Sequence, residues 1–230
     1  MAIYAISDLH LSLGTNKPMD IFGWGDHTGI IKENWIRKIR YDDYVLIPGD
    51  ISWGINLEEA DPDFAFIEAL PGTKIMIKGN HDYWWSTRQK FERHCKEKGY
   101  KSLKMLHNNM YEADGYAICG SRGWKPADDD GFSKEDKKIY HRELERVRNS
   151  LKEGSKTGKK IITMLHYPPF DTNHDPNDFS RLLDEYGVSI CVYGHIHSKA
   201  NDSWKNENID NMKYHLVSCN IVDFDPVRIV

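Results

Sequence analysis

The chain has 230 residues, of which 40% are hydrophobic and 29% are charged, and its formal net charge is −4. A chain of this length can bury a substantial core, and we interpret residues 1–230 as one domain. The slightly acidic balance excludes a generally basic surface of the kind that binds nucleic acid or acidic membranes. No apolar stretch approaches the roughly 20 residues of a membrane span, and no signal peptide precedes the first predicted strand, so we expect a cytoplasmic protein without membrane partners.

Short β-branched runs alternate with helical patterns through most of the chain. The predicted strands are Ile3–Ser7, Tyr44–Pro48, Lys74–Lys78, Tyr116–Gly120, Ile161–Leu165, Ser189–Tyr193, Tyr214–Ser218 and Val227–Val230. The predicted helices are Gly29–Arg40, a helix from a cap at Ser86 to a stop at Gly99, Ser133–Glu153, and Asn177–Tyr186. Alternation in the first half is typical of parallel βαβ units, and successive strands near the end indicate a second sheet region. The pattern predicts an α/β sandwich, with a candidate cap or surface excursion at about residues 124–158.

Five short clusters rich in histidine and carboxylate each follow an apolar run. They are Asp8-Leu9-His10, Gly49-Asp50, Gly79-Asn80-His81-Asp82, Leu165-His166 and Gly194-His195-Ile196-His197. Each cluster follows a predicted strand, and the reactive crevice of an open α/β sheet lies at the carboxyl ends of its strands. Imidazole mixed with carboxylate suits borderline divalent metals, and an aspartate can bridge two ions. The candidate ligand set for two metal ions is Asp8, His10, Asp50, Asn80, His166, His195 and His197.

The ordered pattern D-x-H, GD, GNHD, a lone H and GHxH resembles that of the calcineurin-like metallophosphoesterase superfamily. The resemblance covers residues 8 to 197. It implies a four-layer α/β/β/α sandwich in a single domain, with a dinuclear metal site. It also implies that Asp8, His10 and His197 hold the first metal, that Asn80, His166 and His195 hold the second, and that Asp50 bridges the two.

The charge of such a site indicates its chemistry. Two divalent ions and only two aspartates leave a cationic centre in an acidic protein, which suits a phosphate ester. Metal binding lowers the pKa of water to about 7, so hydroxide is available at neutral pH. We therefore expect a phosphomonoesterase or phosphodiesterase in which a metal-bridging hydroxide attacks directly. Mn²⁺ is favoured, Fe²⁺, Zn²⁺, Co²⁺ and Ni²⁺ also suit the ligands, and an all-Mg²⁺ site is disfavoured.

His81 and Asp82 follow the ligand Asn80 and are the candidate catalytic residues. His81 is not needed as a ligand, and its imidazole could stabilise phosphoryl oxygens or protonate the leaving group. Asp82 either orients His81 or caps the following turn, and the sequence leaves both alternatives open.

Aromatic and basic residues near the clusters are candidates for substrate contact. Trp53 and Trp84 could stack on a nucleobase or an aryl group, with ordinary core packing as the alternative. Arg122, after the predicted strand Tyr116–Gly120, could bind a phosphate oxygen, with solvated surface as the alternative. The expected partner is a small phosphate ester, nucleotides included, and the sequence does not indicate an oligomeric state.

Two alternative functions remain. Residues 134–160 contain ten Lys and Arg against five Asp and Glu, a local net charge of +5. Such a run is usually the wet face of a helix, but it keeps a nuclease as an alternative although nucleic acid is otherwise an unlikely partner. A catalytically silent protein-binding scaffold is the other alternative, since folds can outlast their functions.

Overall fold

The computed structural model describes residues 1–198, 204–209 and 211–230, whose strands form two sheets. The first sheet contains β1 (Ile3–Ala5), β2 (Tyr44–Ile47), β3 (Thr73–Met76), β4 (Leu103–Met105) and β11 (Val227–Arg228). Its strand order is β11-β1-β2-β3-β4. The four strands β1 to β4 pair in parallel, and β11 pairs with β1 in the antiparallel direction. The last strand of the chain therefore joins the sheet that the first half builds, and not the second sheet region expected from the sequence.

The second sheet comes from the later part of the chain. It contains β5 (Tyr111–Ala113), β6 (Tyr116–Ser121), β7 (Lys160–Leu165), β8 (Ile190–Tyr193), β9 (Glu207–Ile209) and β10 (Met212–Leu216). Its order is β5-β6-β7-β8-β10-β9, in which β6, β7, β8 and β10 are parallel. The edge strands β5 and β9 are antiparallel to their neighbours. Both sheets thus direct the carboxyl ends of several parallel strands to one edge.

Five α-helices accompany the sheets in the described part of the chain. They are α1 (His27–Lys38), α2 (Leu57–Ala69), α3 (Arg88–Lys98), α4 (Lys134–Ser155) and α5 (Asp178–Glu185), and a short 3-10 helix spans Met19–Phe22. The structure confirms the four helices predicted from the sequence, which are α1, α3, α4 and α5, with ends within a few residues of those predicted. Helix α4 begins with a capping box between Ser133 and Asp136, and α3 ends at Gly99 in a left-handed conformation. Helix α2 escapes prediction because Pro62 lies inside it.

Three clusters of buried apolar side chains connect these elements. One joins the first sheet to α1, α2 and α3, and includes Val45, Ile31 and Phe64. A second joins the second sheet to α4 and α5. The third contains residues of both sheets, such as Leu46 of β2 and Ile162 of β7. The fold is therefore mixed α/β with two sheets that share a core, as predicted.

The region expected as a cap is only partly an excursion. Tyr140, Val147 and Leu151 of α4 are buried in the second cluster, so the helix packs on the body of the fold. Their spacing forms an apolar stripe along one face of the helix, and this stripe requires burial. The preceding loop, residues 127–133, is largely exposed. No helix within the described ranges is long and apolar enough to cross a membrane.

Candidate active site

The candidate metal ligands lie at the carboxyl ends of five strands. Asp8 and His10 follow β1, and Asp50 follows β2. The remaining ligands follow three further strands: Asn80 after β3, His166 after β7, and His195 and His197 after β8. The two sheets meet here, where Ser7 and Ser218 form a parallel bridge between the chain segments after β1 and β10. The fold therefore brings the ligand-bearing loops of both sheets to one edge.

Four of the ligand residues have a left-handed backbone. The φ angles are 57° at Asp8, 44° at His10, 51° at Asp50 and 72° at His195. Positive φ is uncommon outside glycine, and such residues cluster at functional sites. Backbone hydrogen bonds hold two of these loops together, from Asp8 N to Gly49 O and from His10 N to Asp50 O, each 3.0 Å long. The loop backbone itself thus orients the side chains that are candidates for metal binding.

Two glycines allow these loops to approach each other. Gly49 has a φ of 91°, and a Cβ added to it would lie 2.6 Å from Gly79 N. A Cβ on Gly79 would in turn overlap the Asp50 backbone amide and carboxylate. Side chains at either position would separate Asp50 from the loop that carries Asn80.

The carboxylates and imidazoles converge as a metal site requires. His10 Nε2 lies 3.7 Å from Asp50 Oδ2, and His166 Nε2 lies 3.6 Å from the same oxygen. Asp8 Oδ1 lies 3.6 Å from His197 Nε2. Two groups of donors could each hold an ion: Asp8 with His10 and His197, and Asp8 with Asp50 and His166. Asp8 belongs to both groups, and one Asp50 oxygen lies within 4 Å of a histidine donor of each.

Asn80 and His195 lie beside this cluster. Asn80 Oδ1 is 2.7 Å from His166 Nε2, so both atoms can face one ion. The His195 ring centroid is 5.0 Å from that of His166. The backbone amide of His195 also donates to the carboxylate of Asp8, at 3.0 and 3.1 Å. The structure therefore places all seven predicted ligands around one centre.

Two contacts that the sequence does not reveal orient the imidazoles. His166 Nδ1 lies 2.9 Å from the carbonyl oxygen of Pro48, and His197 Nδ1 lies 2.8 Å from Asn220 Oδ1. Donation from Nδ1 leaves the Nε2 lone pair available for a metal, as in many metal sites. Asn220 follows β10, and its sequence context carries no motif that could have identified it.

The charges in the cluster favour bound cations. Asp8 and Asp50 are fully buried or nearly so, and among the described residues no Lys or Arg forms a salt bridge with either. Burial lowers the pKa of His10 and His166 to about 3 and that of His195 to about 4, which keeps these imidazoles neutral, as ligation requires. Burial and the charges of Asp8 and Asp82 raise the pKa of Asp50 to about 9. Bound positive charge would favour the ionised carboxylate, so the donor set fits divalent ions.

The Asp82 side chain links two motif loops. Among the described residues, it forms no hydrogen bond with the His81 ring. Its carboxylate accepts from four backbone amides, those of Asp50, Ile51, Ser52 and Gly79, at 2.7 to 3.3 Å. It also accepts from Trp84 Nε1 at 3.0 Å. The structure therefore corrects both expectations for Asp82: its side chain neither orients His81 nor caps the following turn, but ties two motif loops together.

His81 faces a large cavity beside the ligands. The cavity has a volume of about 710 Å³, and His10, His81 and His197 line it together with Trp53. The rest of its lining is mainly apolar, from Met19, Phe22, Trp24 and Phe224. Trp53 stacks on His10 with ring centroids 4.9 Å apart, and its ring is 4.5 Å from that of His81. Trp24 closes the other side, 5.6 Å from His197, although only flanking glycines mark it in the sequence.

The two other predicted substrate contacts have different environments. Trp84 is only 2% exposed and packs against Phe64 and Phe91. It is therefore a core residue, the alternative named from the sequence, and not a substrate contact. The sequence could not separate these roles because both indoles follow motif loops. The Arg122 side chain is 13% exposed, stacks over Trp124 at 4.3 Å and lies 3.5 Å from the Glu143 carboxylate. Arg122 is therefore part of the interior next to the ligands rather than solvated surface.

Half of the cations in the basic segment 134–160 are paired, but most of the pairing glutamates belong to the segment itself and are already counted in its net charge of +5. Glutamates form salt bridges with five of its ten cations: Lys138, Arg146, Arg148, Lys156 and Lys159. Pairing within the segment therefore does not lower this net charge.

Comparison with known proteins agrees with this arrangement. The sequence profile described as calcineurin-like phosphoesterase matches residues 1–199. The chain therefore belongs to the calcineurin-like phosphoesterase family, which confirms the resemblance and supports metal-dependent hydrolysis of phosphate esters. No curated protein matches the chain in sequence.

Solved structures that share the fold include two of known source. One is a protein of unknown function, AQ665 from Aquifex aeolicus, with 18% identity, a TM-score of 0.50, and coverage of 99% of this chain and 95% of that chain. The other is phosphopantetheinyl hydrolase (PptH) from Mycobacterium tuberculosis, with 13% identity, a TM-score of 0.60, and coverage of 94% and 88%. At these identities the likeness extends to the fold alone.

Proposed function

We propose that the protein hydrolyses phosphate esters of small molecules at a centre of two divalent metal ions. The observation that carries this proposal is the convergence of buried Asp8 and Asp50 with neutral imidazoles, without a compensating Lys or Arg in the described chain. Asp8, His10 and His197 would hold one ion, and Asn80, His166 and His195 the other, with Asp50 between them. When bound, such ions supply a hydroxide nucleophile near neutral pH and offset charge on phosphoryl oxygens. Mn²⁺ is our favoured metal.

The chain's own residues would bind and orient the ester. His81 lines the cavity beside His10 and His197, where its imidazole can donate to a phosphoryl oxygen or pass a proton to the leaving alkoxide. Burial lowers the pKa of His81, so its ring is mainly neutral in the free protein at pH 7. Contact with an anionic phosphoryl group would favour its protonated form.

The cavity indicates the organic part of the substrate. Trp24, Trp53 and Phe224 offer flat apolar surface beside the ligands, and such rings stack on planar groups. We infer that the ester carries an apolar or aromatic group, such as a nucleobase or an aryl ring. Phosphate monoesters and diesters, which differ by a second ester group, are both compatible with this cavity.

The decisive experiment is hydrolysis of matched aryl phosphate mono- and diesters by the purified protein with Mn²⁺. We expect turnover of one class, two metal ions per chain by elemental analysis, and loss of both in Asp50→Asn. Asp42→Asn is the matched control, because Asp42 is exposed and precedes the same strand β2 that Asp50 follows. A metal-loaded protein that cleaves neither class would overturn the proposal and favour a silent scaffold.

We also propose that residues 1–230 form one domain with the layer order α/β/β/α. The three apolar clusters support it, since each lies between two successive layers of this order. Limited proteolysis of the folded chain should yield no stable half-length fragment.

A further inference from the structure

A second, smaller cavity lies where the ends of β3, β4 and β6 face α4. Its volume is about 250 Å³, less than the space that drug-sized ligands usually occupy. The charged and titratable side chains that line it are Lys78, His107, Arg122, Glu143 and Arg146. A cavity of this size suits a group such as a phosphate.

The charges of this cavity do not balance. Counting His107 as neutral, three cations face one carboxylate, a net charge of +2. Glu143 is fully buried and is already engaged, with Arg146 Nη1 at 2.6 Å and Ser121 Oγ at 2.7 Å. Arg122 lies farther from it, at 3.5 Å, at the limit of a hydrogen bond.

Two of the cations lack good partners. Lys78 is half-buried and forms no hydrogen bond or salt bridge in the described part of the chain. Arg122 Nε is buried and also has no hydrogen-bond partner among the described residues. Arg122 shares the single Glu143 carboxylate with Arg146, and Lys78 has no ion pair among the described residues, so a bound oxyanion would satisfy both an ammonium and a guanidinium.

The cavity adjoins the candidate metal centre. Lys78 is separated from the ligand Asn80 by Gly79 alone, a span of at most about 7 Å of extended chain. The carbonyl oxygen of Arg122 accepts from the backbone amides of His166 and Tyr167, at 2.9 and 3.0 Å. The chain segments that line the cavity are therefore continuous with, or bonded to, the loops that carry Asn80 and His166.

We propose that this cavity binds a second anionic group of the substrate, a phosphate held by Lys78, Arg122 and Arg146. The substrate would thus be a phosphate ester with a further phosphate close to the bond that is cleaved. This assignment of substrate class depends on the proposed function of the metal centre. The presence of an anion site does not.

Calorimetric titration of the metal-loaded full-length protein with inorganic phosphate tests the site directly. We expect two binding events in the unchanged protein, of which Asp50→Asn removes one and Arg146→Gln removes the other. Arg148→Gln is the matched control: Arg148 is on the same helix, is 34% exposed against 31% for Arg146, and also pairs with a glutamate three residues earlier. Lys78→Met provides a second test that leaves the Glu143 ion pairs intact, and it should weaken the same event at least tenfold.

The substrate class is tested with nitrophenyl phosphate esters of the class that the protein hydrolyses, in pairs that differ only in a second phosphate. The unchanged protein and Arg148→Gln should prefer the doubly phosphorylated ester by at least tenfold in KM, and Arg146→Gln and Lys78→Met should lose this preference. A single phosphate event, lost only in Asp50→Asn, would overturn the anion site. Two events without preference would overturn the substrate assignment. Phosphate binding at the cavity in a protein that cleaves no ester would instead remove the proposed function and leave the anion site.

Discussion

Asp8, His10, Asp50 and His195 combine side chains suited to metal binding with a left-handed backbone. Asp and His are among the residues that tolerate this conformation best, so the requirement for a ligand and the requirement for the turn are met by the same residue types. Gly49 and Gly79 supply the close approach that no side chain allows. The residues of this site therefore serve local conformation and chemistry together.

At the residue scale, His81→Ala separates catalysis from metal binding. Because His81 lines the cavity while other residues supply the metal donors, the variant should keep both ions and lose about 10²- to 10⁴-fold in kcat. Elemental analysis and steady-state kinetics measure the two quantities. His141→Ala, at an exposed histidine of α4, should change neither. Loss of metal from His81→Ala would give His81 a structural role.

The two tryptophans should respond differently to truncation. Trp84→Ala removes a buried core side chain, so we expect it to lower the free energy of unfolding by about 3–5 kcal/mol. Trp53→Ala should instead raise KM for aryl esters, since Trp53 lines the large cavity beside His10. Denaturant unfolding and kinetics on both variants check the pair. The reverse assignment of effects would contradict the placement of these rings.

At the scale of elements, the strand ends were predictable and the contacts between loops were not. Each ligand cluster follows an apolar, β-branched run, and parallel strands bring their carboxyl ends to one edge, so the site could be assembled from pattern alone. Helix α2 could not, because Pro62 and its acidic neighbours are typical of a loop. The hydrogen bond of Asn220 to His197 also escaped prediction, since these residues are neighbours only after β8 and β10 pair.

The contacts of Asp82 predict how strongly the two motif loops depend on its carboxylate. Asp82→Ala would leave four backbone amides and the Trp84 indole without their acceptor. Each unpaired buried donor costs about 1–3 kcal/mol, so we expect a loss of several kcal/mol in unfolding free energy and weaker metal binding. Asp130→Ala, at an exposed position, is the control. Unchanged stability in Asp82→Ala would mean that the motif loops hold their shape without this carboxylate.

At the scale of the whole molecule, the buried imidazoles couple stability to pH. In metal-free protein the folded-state pKa values of His10 and His166 are about 3 and that of His195 about 4, against 6.5 for an unperturbed histidine. The unfolded chain therefore binds more protons below pH 6.5, and stability falls as pH falls. Asp50, Asp63 and Asp82 act in the opposite direction, because burial raises their pKa values and the folded chain then holds extra protons. Burial also lowers the pKa values of His27, His81, His107 and His215, so the histidines outnumber these carboxyl groups.

We therefore expect chelator-treated protein to be less stable at about pH 5 than at about pH 6.5, by about 1–2 kcal/mol for each of His10, His166 and His195 before the opposing contributions of Asp50, Asp63 and Asp82 are subtracted. Urea unfolding at the two pH values measures the difference. Asp50→Asn should enlarge it, since one opposing contribution is removed. Equal stability at both pH values would show that these rings are accessible to protons in the folded state.

The pairing of β11 with β1 has a consequence for how the molecule is made. Strand β1, which precedes Asp8, has β2 on one side and β11 on the other, so one of its edges stays open until β11 has left the ribosome. An open edge is a template for pairing with another chain. Newly made copies would consequently be most prone to aggregate before β11 is available, and a nascent chain that stalls before β11 would hold the loop of Asp8 and His10 in an incomplete sheet.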